Sequence, residues 1–212
     1  MKRISGYYFI TDARLSRAGN ISDVRSALSC GVGVVQYRNK DAAARQMYDE
    51  ALQLGQMCRE AGAACLINDR LDIALAVDAD GVHLGQSDMP LAVARKLLGP
   101  EKIIGLTVHN LAEALQGQSL GADYLGVAPI FSTTTKPDSG KPAGVGLIEQ
   151  IRKEVSLPLI AIGGINHCNA RQVIAAGADG LCAISCVVAS NNAGEEMRRF
   201  QDLFRTEETS KI

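Results

Sequence analysis

Leu120-Gly121-Ala122-Asp123 runs directly into Tyr124-Leu125-Gly126-Val127, and the same order of features returns at Ala176-Gly177-Ala178-Asp179 before another apolar run at 180–184. In both places a helix-period segment ends, a glycine follows, and a short apolar run begins. Glycine just past a helix accepts the left-handed conformation that closes it, so the chain turns straight into a strand. Cys30-Gly31 and Ala61-Gly62 carry the same signal, and Asp78-Ala79-Asp80 is a variant of it.

Outward from these turns, apolar runs of strand length lie at 7–11, 34–37, 64–67, 81–84, 103–107, 124–127, 159–162 and 180–184. They are short and apolar on both faces, as parallel strands buried on both sides must be. Amphipathic or Ala-rich segments separate them at 22–30, 42–61, 71–77, 90–98, 111–120, 147–155, 170–176 and 193–204. Such alternation builds either a doubly wound open sheet or a closed barrel. Eight units without a domain-scale break favour closure, so the expected fold is α/β, a single (β/α)₈ TIM barrel over residues 1–212, with 205–212 a frayed polar tail. The Gly/Pro/Thr-rich stretch 131–146 is the one long irregular segment, and a loop of that length is expected to act as a lid.

Composition narrows the function. A net charge of −1 and 4% aromatic residues give no footprint for nucleic acid. No stretch approaches the ~20 apolar residues of a membrane helix. Met1-Lys2-Arg3-Ile4-Ser5-Gly6 enters the first strand without the apolar stretch of a signal peptide, so a cytoplasmic location is expected. The six cysteines form no C-x-x-C pair and read as reduced core residues. Oligomeric state has no linear signature here, and a homodimer through barrel helices stays open.

Seven polar clusters follow the apolar runs: Gln36-Tyr37-Arg38-Asn39-Lys40, Asn68-Asp69, Gln86-Ser87-Asp88, Thr107-Val108-His109, Thr133-Thr134-Thr135-Lys136, Gly163-Gly164 and Ile184-Ser185. A barrel places all strand ends on one rim, where its active sites are built. Asp69 and Asp88 follow neighbouring strands, so their carboxylates can approach one Mg²⁺, which favours one or two carboxylates plus substrate phosphates. Each alone could equally cap the following helix. Arg38, Lys40 and Lys136 supply cations, and Gln36 and Asn68 neutral hydrogen-bonding groups; with Mg²⁺ they suit a diphosphate leaving group. Gly163-Gly164 and Ile184-Ser185 follow strands seven and eight, where barrels commonly bind a phosphate on backbone N–H groups. Thr133, Thr134 and Thr135 offer hydroxyls. His83 reads as an oriented or packed side chain, His109 as the better candidate for proton chemistry. Two phosphate sites in one pocket imply joining or separating two phosphorylated small molecules.

These residues resemble the thiamine phosphate synthase family over nearly the whole chain, from Tyr7 to about Phe204. The matching stretches are Gln36-Tyr37-Arg38-Asn39-Lys40, Ile67-Asn68-Asp69, Asp80 through Asp88, Thr133-Thr134-Thr135-Lys136, Ile162-Gly163-Gly164-Ile165 and Ala178-Asp179-Gly180 through Ser185. The resemblance implies a (β/α)₈ enzyme that couples hydroxymethylpyrimidine diphosphate to a thiazole phosphate with Mg²⁺, releasing pyrophosphate. It implies that Gln36, Arg38, Lys40, Asn68, Thr107 and Lys136 hold the pyrimidine diphosphate, with Tyr37 and Asn39 in the same cluster. Arg38, Lys40, Thr107 and Lys136 would assist its departure. Asp69 and Asp88 would carry the metal, and Thr133, Thr135, Gly164, Ile184 and Ser185, with Thr134 among them, would hold the thiazole phosphate. The implied mechanism is dissociative: pyrophosphate leaves first, and the thiazole nitrogen captures the resulting cation.

Three positions depart from the family pattern. Asn39 stands where Glu is usual, Thr107 where Ser is common, and Thr134 where Glu is frequent. A sister branch aromatises a thiazole carboxylate phosphate with a histidine shortly after strand six; Pro129 occupies that place here. That branch also tends to lose the aspartate beside Asn68, whereas Asp69 is present. A thiazole tautomerase and a silent barrel that binds thiazole or thiamine phosphate are the alternative readings.

Overall fold

The computed structural model describes residues 4–135 and 140–209. Eight parallel strands pair in chain order, β1 (Gly6–Ile10), β2 (Val34–Tyr37), β3 (Ala64–Asn68), β4 (Gly81–Leu84), β5 (Ile103–Val108), β6 (Tyr124–Val127), β7 (Leu159–Ile162) and β8 (Gly180–Cys182). Closure comes from β8 pairing back onto β1, with Gly6 opposite Gly180 and Tyr7 opposite Leu181. Helices alternate with the strands: α1 (Asn20–Ser29), α2 (Ala44–Glu60), α3 (Leu71–Ala76), α4 (Leu91–Leu98), α5 (Leu111–Ser119), α6 (Gly146–Glu154), α7 (Ala170–Ala175), α8 (Ile184–Val188) and α9 (Ala193–Thr209). The (β/α)₈ barrel expected from the alternation is the observed fold.

The period of two along each strand divides the core. Tyr8, Ile10, Val34, Leu66, Ile103, Tyr124, Ile160 and Cys182 point inward and fill the barrel. Their neighbours Tyr7, Phe9, Val35, Ile67, Val82, Ile104 and Leu125 point outward into the helix layer. A slip of one residue would exchange the two sets, so burial of both fixes the register.

The recurring αβ turn is built as its sequence implies. Gly31, Gly62, Gly121 and Gly177 adopt φ of 75°, 71°, 86° and 101°, and Asp78 takes the same role at φ 51°. The aspartate that follows has a second use. Carboxylates of Asp80, Asp123 and Asp179 accept the backbone N–H of Cys65, Ile104 and Leu159 at 2.8, 2.7 and 2.8 Å, each on the preceding strand. Arg95 and Arg152 add ion pairs to Asp123 and Asp179, both at 2.6 Å. These braces tie neighbouring strands at the end opposite the catalytic rim.

Most boundaries fall within about two residues of the sequence reading, and two differences matter more. The last strand stops at Cys182, and Ile184 opens the short helix α8; a short apolar run has no periodicity that separates strand from buried helix. Instead of a frayed tail from Arg205, α9 continues to Thr209. That helix is anchored on the barrel: the Phe200 ring stacks on Tyr7 at 5.3 Å, and Gln201 Oε1 accepts the Tyr7 N–H at 2.7 Å. All six cysteines are free thiols, with Cys168 exposed. No helix among the described residues is long and apolar enough to cross a membrane.

Candidate active site

A cavity of about 460 Å³ opens at the C-terminal ends of the strands. Gln36, Arg38, Lys40, Asn68, Asp69, Asp88, Thr107, Thr133, Thr135, Gly164, Ile184 and Ser185 all line it, so residues up to 149 positions apart in sequence share one mouth.

Strand alternation decides which members of the first cluster reach it. Gln36 points inward, and Arg38 and Lys40 follow on the same side. Tyr37 points outward, where its hydroxyl donates to Glu50 Oε2 on α2 at 2.5 Å. It is a packed residue of the helix layer and does not line the cavity. Asn39 also does not line the pocket; its Oδ1 accepts the Asp41 N–H at 3.3 Å. Arg38 is clamped from β1: Thr11 Oγ1 accepts the Arg38 N–H at 2.8 Å and donates to the Arg38 carbonyl at 3.0 Å. Its guanidinium pairs with the buried Asp12 carboxylate at 3.1 Å.

Lys40 Nζ lies 2.7 Å from Asp69 Oδ2. Asp69 is held at φ 60°, a left-handed conformation that few non-glycine residues adopt. Its backbone N–H donates to the His83 carbonyl at 2.9 Å, which ties it to the next strand. Asp88 is aimed back at it by a hydrogen bond from the Gly85 N–H at 2.7 Å. The two carboxyl groups lie within hydrogen-bonding reach of one another. Burial and the hydrogen bond to Asp69 push Asp88 above the usual carboxylate range. Burial acts the same way on Asp69, but the Lys40 ammonium and the hydrogen bond to Asp88 outweigh it and hold that carboxyl low. Two hard oxygen donors crowded together on adjacent strand ends are a fitting donor set for a divalent cation such as Mg²⁺. Among the described residues, one group of three His, Cys and carboxylate side chains comes together, His167, Cys186 and Glu196. None of them lines this cavity: His167 pairs with Glu196 and stacks on Phe200.

The opposite wall is made of backbone. Gly163 and Gly164 adopt φ of 101° and 64°. The chain after β6 packs on them, with the Phe131 N–H donating to the Gly163 carbonyl at 3.0 Å. A side chain at Gly164 would place its Cβ 2.4 Å from the Ser132 carbonyl oxygen. Thr133 and Thr135 line the cavity from this loop, and Thr134 is exposed and does not. Lys136 falls within 136–139, outside the described residues, and with it the middle of the expected lid. Ile184 and Ser185 open α8, whose first amides have no intrahelical partner.

Of the histidines, His109 lines the mouth but is tied to a helix cap. Its ring Nδ1 bonds Glu113 Oε2 at 2.9 Å, while Asn110 Oδ1 accepts the Glu113 N–H at 2.9 Å. His83 is the oriented residue the strand pattern suggests, bonded on both ring nitrogens. Sequence reasoning passed over Thr11 and Asp12, because no motif marks a residue that acts only by holding Arg38. It also passed over Gly85, His83 and Pro129 as cavity wall.

A family model described as thiamine monophosphate synthase matches residues 7–187. The thiamine-phosphate synthase of Chloroflexus aurantiacus is 52% identical over 92% of this chain and 91% of its own length. That of Methanosarcina barkeri is 50% identical over 94% and 90%. The solved structure of thiamine phosphate pyrophosphorylase from Pyrococcus furiosus superposes with a TM-score of 0.88 at 40% identity, covering 95% of this chain and 96% of that one.

Proposed function

Because the chain belongs to the thiamine monophosphate synthase family, we propose that its rim pocket couples hydroxymethylpyrimidine diphosphate to thiazole phosphate, giving thiamine phosphate and pyrophosphate. The activity is that of a transferase in thiamine biosynthesis. One observation carries the residue assignment: a single cavity has cations and paired carboxylates on one wall and a glycine-lined backbone wall on the other.

Arg38 and Lys40 hold the diphosphate, and Lys136 joins them from the loop after β6. Asp69 and Asp88 hold Mg²⁺, which supplies positive charge to the diphosphate oxygens when bound. Arg38 is preset by Asp12 and Thr11, so its fork needs little reordering when charge grows on the departing group. Gln36 and Asn68 face the pyrimidine portion. Gly164, Ile184 and Ser185, with Thr133 and Thr135, take the thiazole phosphate and set its nitrogen near the pyrimidine methylene. A dissociative reaction of this kind draws on charge neutralisation and positioning, and the site offers both without a free histidine base at its centre.

Incubation with each substrate alone and with both tests the reading. Pyrophosphate release that requires both substrates and Mg²⁺ is the expected result. Conversion of the thiazole compound alone would instead identify a tautomerase, and binding without turnover a silent barrel.

A further inference from the structure

Beneath the pocket runs a buried chain of hydrogen bonds that crosses the barrel interior. Gln36 Nε2 donates to the Tyr8 hydroxyl at 2.9 Å. Tyr8 and Tyr124 share a hydroxyl contact at 2.7 Å. The Tyr124 hydroxyl lies 2.8 Å from His83 Nδ1, and His83 Nε2 lies 2.8 Å from Thr107 Oγ1. The two ends, Gln36 and Thr107, both line the cavity, while the two tyrosines lie wholly buried under it. The barrel makes room for this chain. A Cβ at Gly105 would meet Tyr124 Cζ at 2.0 Å, and one at Gly126 would meet His83 Cε1 at 3.0 Å.

Each hydroxyl has one proton, so the first bond fixes the direction of the rest. The Tyr8–Tyr124 contact itself allows either donor; with Tyr8 accepting from the Gln36 amide, its own proton has a partner in this chain only if it goes to Tyr124. Tyr124 then donates to His83 Nδ1, which must be unprotonated. The imidazole proton sits on Nε2 and is donated to Thr107 Oγ1. Burial raises both phenol pKa values, so the donors keep their protons. An imidazolium would leave the buried Tyr124 proton without this acceptor. The outcome at the rim is specific: with its oxygen satisfied from below, Thr107 has its proton available for the pocket. With the other tautomer Thr107 would spend that proton on His83 and face an anion with lone pairs only.

We propose that Tyr124 is a positioning residue of this site: through the tautomer it imposes on His83, it leaves the Thr107 hydroxyl as a donor toward the anion bound in the pocket. The inference rests on the synthase reading for the identity of that anion, the diphosphate, but the tautomer itself does not.

The experiment measures the long-range ¹H–¹⁵N spectrum of protein labelled at histidine, with His83→Gln assigning one of only three histidines. The parent should show His83 neutral and protonated at Nε2. In Tyr124→Phe, which keeps the ring and removes the donor, His83 should shift toward a mixture of tautomers. Single-turnover pyrophosphate release should slow about 10- to 100-fold, the loss expected for one hydrogen bond to a charged group, with the thiazole phosphate KM unchanged. Tyr124→Phe should add little in a Thr107→Val background. A parent His83 protonated at Nδ1, or doubly protonated at neutral pH, overturns the proposal even if the variant fails to fold. So does full turnover in a Tyr124→Phe protein whose His83 tautomer has changed. A parent that releases no pyrophosphate from the two substrates would strike the synthase reading alone, since the spectrum still decides the tautomer.

Discussion

Asp12, 4% exposed at the end of β1, holds the Arg38 guanidinium at 3.1 Å on the pocket wall. The carboxylate also accepts the N–H groups of Arg14 and Leu15 at 3.1 and 3.2 Å, so its own position is fixed by the loop it heads. Asp12→Asn keeps these backbone contacts and weakens the charge on Arg38. The expected outcome is a KM for the pyrimidine diphosphate raised about tenfold, the low end for a lost hydrogen bond to a charged group. Steady-state kinetics with each substrate varied would check it, and an equal rise in both KM values would show a general loosening instead.

Asp69→Asn and Asp88→Asn each remove a proposed metal ligand while keeping side-chain size, and asparagine tolerates the left-handed backbone that Asp69 adopts. Turnover at limiting Mg²⁺ should fall on the order of 100-fold, as for other groups that stabilise developing charge. Melting should move little, because the Lys40 side of the ion pair is half exposed and such pairs contribute only about 0–1 kcal/mol. Turnover against Mg²⁺ concentration, with a melting curve on the same sample, gives the answer.

Gly164→Ala adds a methyl where φ is 64° and where the nearest atom, the Ser132 carbonyl oxygen, would stand at 2.4 Å. The loop carrying Thr133 and Thr135 must then move off the β7 turn. Thiazole phosphate should bind at least about tenfold more weakly, while the strain costs roughly 1–2 kcal/mol. Calorimetric titration with thiazole phosphate reads the first and denaturant melts the second.

At the far end of the barrel, Asp123 accepts the Ile104 N–H at 2.7 Å and pairs with Arg95 at 2.6 Å. Asp123→Ala leaves both donors without this carboxylate and should cost about 2–3 kcal/mol of stability. Its kcat should match the parent, since no part of the brace touches the rim. A matching loss in kcat would mean that the two ends of the barrel are coupled.

Much of this architecture is written locally. The turns at Gly31, Gly62, Gly121 and Gly177 announce themselves because each needs positive φ, and Asp78 could be read as their variant because its neighbours keep the pattern. The rim clusters were equally legible, since topology alone brings Arg38, Asp69, Asp88 and Gly164 to one mouth. Tyr37 faces the helix layer instead of the cavity because adjacent residues of a strand end face opposite sides, a distinction that its position within a polar cluster conceals. The buried chain from Gln36 to Thr107 was not visible at all. Its members sit on five different strands, each looks like ordinary interior packing, and only closure of the barrel joins them. Asp12 escaped notice for the same reason, as its partner lies 26 residues away.

The central claim is that paired carboxylates and cations on one wall hold a metal-bridged diphosphate directly beside the thiazole phosphate. Crystals grown with Mg²⁺, pyrophosphate and thiazole phosphate test it most directly. The account predicts an ion about 2.0–2.1 Å from an oxygen of both Asp69 and Asp88, pyrophosphate on Arg38 and Lys40, and the thiazole phosphate on Gly164 and Ser185 in the same cavity. An ion bound elsewhere, or the two anions seated in separate cavities, would contradict it.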